Sequence, residues 1–138
     1  MNKTECLVFF SVQGFGNDPS IVTKTIGAKP DEAWAKGEQY VEKSRKAVRA
    51  YSDWRLYSGC LKSDSLEYQL QSLLKKLEPL RKGILNTAQN FNAMVRIVLY
   101  VSTANVGFHL SPETIARLSS LGLSADFDIY CLSKKRTL

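Results

Sequence analysis

Apolar and polar residues follow two periods along this chain, and the periods assign most of its elements. In Glu5–Val12, Cys6, Val8, Phe10 and Val12 alternate with Leu7 and Phe9, a period of two that predicts a strand. Both of its faces are apolar, so it belongs inside a sheet. Asn92–Val101 repeats the pattern. Ala93, Val95, Ile97, Leu99 and Val101 form one face, and Met94, Val98 and Tyr100 dominate the other, with Arg96 its single charge. This strand is also central. A helical period appears behind Ser65, a residue suited to an N-cap, where Leu66, Leu70, Leu73, Leu74 and Leu77 form one stripe. Leu80, Ile84, Leu85, Ala88 and Phe91 continue it past Pro79, which breaks an interior turn. The pattern predicts either a kinked long helix or two helices in succession, with Pro79 in the first turn of the second and Gly83 weakening it.

Gly107–Tyr130 is the most locally determined stretch. Ser111 is suited to the N-cap, Pro112 to the first helical position, and Glu113 to the positive end of the dipole. Ile115, Leu118 and Leu121 recur at helical spacing, and Gly122 ends the helix. Ala125–Leu132 then reads as a strand with Phe127, Ile129 and Cys131 on one face. Nearer the start, Gln13–Asn17 is a loop, Asp18 caps a helix that opens at Pro19, and Gly27 closes it. Pro30 keeps the next residues out of helix, and Asp31–Lys36, containing Trp34, is a short strand before a turn at Gly37. Glu38–Asp53 admits three readings: a hairpin, an irregular excursion or a short helix. Alternation of Val48, Ala50, Ser52, Trp54 and Leu56 places a strand within Lys46–Tyr57, and Gly59–Asp64 is a polar loop.

The resulting order is β-α-β-β-α-β-α-β. Its first six elements have the ferredoxin-like, split-βαβ order, and one helix and one strand are appended. The expected fold class is α+β, a mainly antiparallel sheet with helices packed on one face. Length points to a single domain over residues 1–138, with 133–138, carrying Lys134, Lys135 and Arg136, as a flexible basic tail.

Composition narrows the partners. A net charge of +6 suits an acidic protein, a nucleic acid or an anionic membrane. The three cysteines, Cys6, Cys60 and Cys131, are widely spaced and form no metal-ligand pattern. They read as reduced thiols of a cytoplasmic protein, with Cys6 and Cys131 acting as small hydrophobes within strands. Leu7–Phe10 is too short for a signal-peptide core, and no apolar stretch reaches membrane-spanning length. Neither a membrane partner nor a cofactor or metal is expected.

Few residues announce chemistry. His109 is the only histidine, and with Asp126 and Asp128 it forms a minority ligand or catalytic site. A structural His109 and a solvated pair of aspartates are the more economical readings. Gly14 and Gly16 before a helix lack the rest of a phosphate-loop motif, and their use is to let the chain turn. Trp54 belongs to the core, whereas Trp34 is divided evenly between core and interface. Lys75, Lys76, Arg81 and Lys82 are the solvated side of the main helix. Lys43, Arg45, Lys46 and Arg49, beside Tyr40 and Tyr51, form a basic and aromatic cluster suited to an acidic protein or to RNA.

Several stretches resemble the bacterial family known as domain of unknown function 4279. They are SVQGFGNDPSIVTKTIG from Ser11, WAKG at Trp34–Gly37, WRLYSG at Trp54–Gly59, the leucine-rich helix closed by Glu78-Pro79, and GFHLSPETIARLSSLGLSADFDIY from Gly107. Glu38–Asp53 departs most from that pattern. The resemblance implies a small cytoplasmic protein with no catalytic residues to carry over, similar to immunity proteins that bind and block an antibacterial toxin. The expectation is therefore a non-enzymatic, protein-binding module, with a monomer favoured. Its partner surface is Tyr40, Arg45, Arg49 and Tyr51, with Trp34 behind them, set against a cognate toxin that is acidic near its active site. Two alternatives stand: a nucleic-acid-binding module on a ferredoxin-like sheet, and a small-ligand or enzyme site around His109, Asp126 and Asp128.

Overall fold

The computed structural model describes residues 4–102 and 106–132. The expected basic tail, 133–138, lies outside them. Strands β1 (Glu5–Gln13), β2 (Glu32–Trp34), β5 (Asp53–Tyr57), β6 (Asn92–Val101) and β7 (Ser124–Cys131) form one sheet, in the order β2-β5-β1-β6-β7. β1 is antiparallel to β5 and β6, and β2 is antiparallel to β5. β7 alone runs parallel to its neighbour, β6. β5 therefore separates β1 from β2, which is the split-βαβ arrangement, and the fold is α+β. β3 (Gln39–Glu42) and β4 (Arg45–Val48) make a separate hairpin. Four α-helices are found among the described residues: α1 (Ser20–Ile26), α2 (Leu66–Leu77), α3 (Arg81–Asn90) and α4 (Pro112–Ser120).

One core explains this layering. Val8, Phe10, Val12, Trp54, Val95, Ile97 and Leu99 point from the sheet toward Val22, Leu70, Leu73, Leu77, Ile84 and Leu118 of the helices. All the helices thus cover one face. Trp54 is fully buried, and its indole N–H donates to Thr23 Oγ1 at 3.0 Å, so a large apolar ring enters the core without stranding a donor. Cys6 is also buried beside the main helix, where Gln69 donates to its carbonyl. Burial pushes the Cys6 thiol up, helped by the charges of Asp64 and Cys60.

Local signals mostly hold. Ser65 Oγ accepts from Tyr68 N–H, and Ser111 Oγ accepts from Thr114 N–H, each capping its helix. Asp18 accepts from Ser20 N–H and Ser20 Oγ, but α1 starts at Ser20, one residue beyond the expected Pro19.

Four expectations change in detail. The leucine-rich pattern is divided into α2 and α3 by a 3-10 turn, Glu78–Leu80, so Pro79 sits in that turn and not inside the second helix. Gly83 does not weaken α3 idly. A Cβ there would lie 2.6 Å from the carbonyl oxygens of Thr25 and Ile26, so glycine is what lets α3 meet α1. The alternation from Val48 to Leu56 crosses two strands, since β4 ends at Val48 and β5 begins at Asp53. Finally, Ile115 and Cys131 are exposed, and the buried face of α4 is carried by Thr114 and Leu118.

Candidate functional site

With the helices all on one side, no helix among the described residues covers the other face of the sheet. Period two places Glu32 and Trp34 of β2, Asp53, Arg55 and Tyr57 of β5, and Phe9 and Ser11 of β1 on it. Arg96 of β6 and Asp126 and Asp128 of β7 follow by register. This face carries charge where the helix-side face carries none.

The hairpin joins it at the β2 end. Gln39–Val48 folds back on itself through Lys43 and Ser44, whose φ angles of 48° and 64° are both positive. A two-residue hairpin turn of this kind requires positive φ, and non-glycine residues there are strained. Gly37 N–H donates to Arg49 O, and Arg49 N–H donates to Glu38 O, which closes the base of the hairpin. Arg49 then lies between two rings, its guanidinium carbon 3.8 Å from the centroids of both Trp34 and Tyr40.

The stack continues inward. Arg55 lies 4.8 Å from the Trp34 ring and 4.5 Å from the Phe9 ring. Arg96 lies 5.9 Å from Phe9 on the neighbouring strand. Tyr40, Arg49, Trp34, Arg55, Phe9 and Arg96 thus alternate ring and cation from the hairpin to the middle of the sheet. Trp34 N–H donates to Tyr51 O at 3.1 Å, and Trp34 is only 8% exposed. It serves as a shelf under two arginines rather than as a free interface ring.

The three arginines are not equivalent. Arg55 donates from Nε and Nη2 to Asp53, at 3.1 and 3.0 Å. Asp53 is fully buried and also accepts from Ser11 Oγ at 2.7 Å. Burial pulls the Arg55 guanidinium down, but its hydrogen bond to Tyr57 and the adjacent Asp53 charge outweigh this and hold it above its ordinary value. Burial raises the Tyr57 hydroxyl, and its bond to Glu32 Oε1 adds to this. Arg49 and Arg96 have no carboxylate within ion-pair distance among the described residues. Arg96 Nε is moreover buried and without a hydrogen-bond partner.

Of the residues expected to bind a partner, Trp34, Tyr40, Arg49 and Tyr51 come together around a hollow of about 240 Å³, to which Val48, Ala50 and Arg55 contribute. Arg45 stands apart, near the hairpin turn with Lys43 and Lys46. Sequence reasoning missed Arg55, Arg96, Asp53 and Phe9. The available signal was a charge set into an otherwise apolar central strand, as at Arg96.

The minority site is dispersed. His109 is exposed in the segment before α4, whereas Asp126 and Asp128 lie on the open face of β7. Among the described residues no hydrogen bond joins His109 to either aspartate; Asp128 instead accepts from Tyr130 OH at 3.4 Å. No group of three or more His, Cys, Asp or Glu side chains among the described residues is placed to hold a metal ion. Likewise, none of their helices is long and apolar enough to cross a membrane.

Fold and surface together define a small α+β protein whose sheet, on the face that none of the described helices covers, carries arginines stacked on largely buried aromatic rings. The chain belongs to the family described as domain of unknown function 4279, which matches residues 4–132. No curated protein and no solved structure matches it.

Proposed function

We propose that this protein is a non-enzymatic binding module that presents its hairpin and the adjoining open sheet face to an acidic protein surface. One observation carries the reading: Arg49 and Arg96 are fixed against aromatic rings yet have no carboxylate partner among the described residues. A guanidinium fork that is already positioned loses little conformational entropy on meeting a carboxylate, and it can bond one bidentately. The hairpin adds Arg45, Lys43 and Lys46 as steering charges at its exposed end.

Within this reading the partner is a cognate antibacterial toxin, and the protein is its cytoplasmic immunity protein, acting by covering the toxin's active site. That step rests on the likeness to immunity proteins. The nucleic-acid alternative is weaker on physical grounds. Bases stack on free ring faces, but Phe9 is 2% exposed and Trp34 lies beneath two guanidinium groups. The enzyme alternative needs His109 and the two aspartates to act together, and no hydrogen bond links them.

Affinity capture tests the proposal, with the full-length chain as bait in extracts of the cells that encode it. The expected result is one stoichiometric protein partner, lost with Arg49→Glu and retained with His109→Gln. Co-expression with a toxin gene adjacent to its own should protect cells, and Arg49→Glu should abolish the protection. Recovery of nucleic acid alone, or of no partner, would overturn the reading.

A further inference from the structure

Two of the three cysteines are brought together at one end of β1. In the β1–β5 ladder Phe9 faces Tyr57 and Phe10 faces Leu56. The register continues one residue past the end of β5, because Ser58 N–H donates to Val8 O at 3.1 Å. Side chains two apart on a strand share a face. The helix-side run Phe10, Val8, Cys6 is therefore matched by Leu56, Ser58, Cys60. Gly59, whose φ is 79°, lets the second run bulge, and Cys6 N–H donates to Lys62 O at 2.9 Å. Cys60 is thus held across from Cys6 between two backbone bonds. Directly opposed residues of an antiparallel pair have Cα atoms about 4.5–5.5 Å apart, within the range of about 4.4–6.8 Å that a disulfide spans.

The surroundings converge on the Cys6 sulfur. Gln69 of α2 is 1% exposed, and its Nε2 lies 2.9 Å from Cys6 Sγ, 3.1 Å from Leu61 O and 3.0 Å from Asp64 O. One nitrogen therefore links the Cys6 sulfur to the carbonyl of the residue after Cys60. Cys60 N–H donates to Ser58 Oγ at 3.2 Å, which fixes that residue from its other side. Burial, then the charges of Asp64 and Cys60, raise the Cys6 thiol, so the Cys60 sulfur acts on it directly. The two thiols are both free and differ in access: Cys6 is buried and Cys60 is partly exposed.

We propose that Cys6 and Cys60 form a peroxide-responsive pair that closes to a reversible disulfide. Cys60, the reachable member, reacts first. Its sulfur bonds to one oxygen of hydrogen peroxide, the O–O bond breaks, and the departing hydroxide takes the thiol proton to leave as water. The product is a sulfenic acid at Cys60. The Cys6 sulfur then attacks the Cys60 sulfur. An S–S bond forms, the S–O bond breaks, and the Cys6 proton leaves with the hydroxyl as a second water. Two thiols have then given two electrons to one peroxide. A small thiol such as glutathione returns the pair to the reduced state by exchange. Access sets the order, because a buried thiol with a raised pKa is a poor first target. Gln69 N–H, already against Cys6 Sγ, stabilises that sulfur as it gains negative charge. The bond would tie residues 58–64, which lead into α2, to the start of β1. None of this depends on the hairpin surface.

Treating the reduced full-length chain with hydrogen peroxide tests the proposal. Its intact mass should fall by two hydrogens. Peptide mapping should find Cys6 joined to Cys60 within one chain, and dithiothreitol should restore both thiols. Cys6→Ser should stop at a Cys60 sulfenic acid that dimedone captures. Cys60→Ser should leave Cys6 a thiol at the same dose. The wild-type mapping decides the matter even where a variant fails to fold. Three results would overturn the proposal: Cys60 advancing to sulfinic acid while Cys6 stays free, linkage only through Cys131 or between chains, or no loss of thiol at a dose that oxidises free cysteine.

Discussion

Asp53 and Arg55 show how single residues hold the open face together. Asp53 is buried with its carboxylate taking hydrogen bonds from Arg55 and Ser11, so removing its charge leaves a half-buried guanidinium uncompensated. Breaking such a pair costs about 3–5 kcal/mol. Asp53→Asn should therefore lower unfolding stability by about 3 kcal/mol in urea titrations, toward the low end because asparagine keeps an acceptor. A loss below about 1 kcal/mol, the worth of an exposed pair, would mean that Asp53 is not the anchor described. Arg49 makes a different kind of contact, two ring stacks and no ion pair among the described residues. Arg49→Ala should cost about 1–2 kcal/mol and raise amide exchange across Gln39–Val48. Arg49→Lys should recover only part of that, since an ammonium does not stack as a plane. These roles were only partly legible in the sequence. Arg49, Tyr40 and Trp34 stood out as a basic and aromatic group. Arg55 and Asp53 did not, because two residues that alternate on a short strand reveal a buried pair only once the face they share is known to be open.

Among the elements, two helix junctions carry the prediction. At Gly83 the α1 and α3 backbones approach so closely that a Cβ would sit 2.6 Å from two carbonyl oxygens. Gly83→Ala gains about 1 kcal/mol of helix propensity and still forces the backbones apart. Thermal denaturation should show a net loss of about 1–3 kcal/mol, and a stabilised variant would contradict the close approach. At the other junction, Arg117 of α4 donates from Nε and Nη2 to Glu78 in the 3-10 turn, at 2.8 and 2.7 Å. That hydrogen bonding holds the Glu78 carboxyl below its ordinary value. A lowered acid stabilises the fold above its unfolded-state pKa and loses that contribution as pH falls through the lowered value. The pair is partly solvated, so its worth is about 0.2–1 kcal/mol. Glu78→Gln should cost that much at neutral pH and nothing in strong acid. An equal cost at both pH values would show a packing effect instead. Caps and periods made most elements legible, as Ser65, Ser111 and the leucine stripe illustrate. The hairpin stayed one of three readings, because its turn uses Lys43 and Ser44 where Asn-Gly would have announced it. The packing role of Gly83 was not legible because helix propensity is a local quantity, and its partner in space is a helix more than fifty residues earlier.

At the scale of the whole molecule, the helices and one sheet face build the apolar core, and the other face carries the charged residues, the buried Asp53–Arg55 pair among them. Element order gave the α+β class and the central places of β1 and β6. It left open whether β7 stands at the end of the sheet, because Phe127 and Ile129 alternate like residues of a covered strand while Asp126 and Asp128 suit a solvated face. We propose that the hairpin and the adjoining arginine-bearing face meet a protein partner. Hydrogen exchange on the captured complex, compared with the free chain, tests it most directly. New protection is expected across Glu38–Arg49 and in β2, with little change in α4. Protection confined to α4 or to the segment around His109, with the hairpin amides exchanging as they do in the free chain, would contradict it.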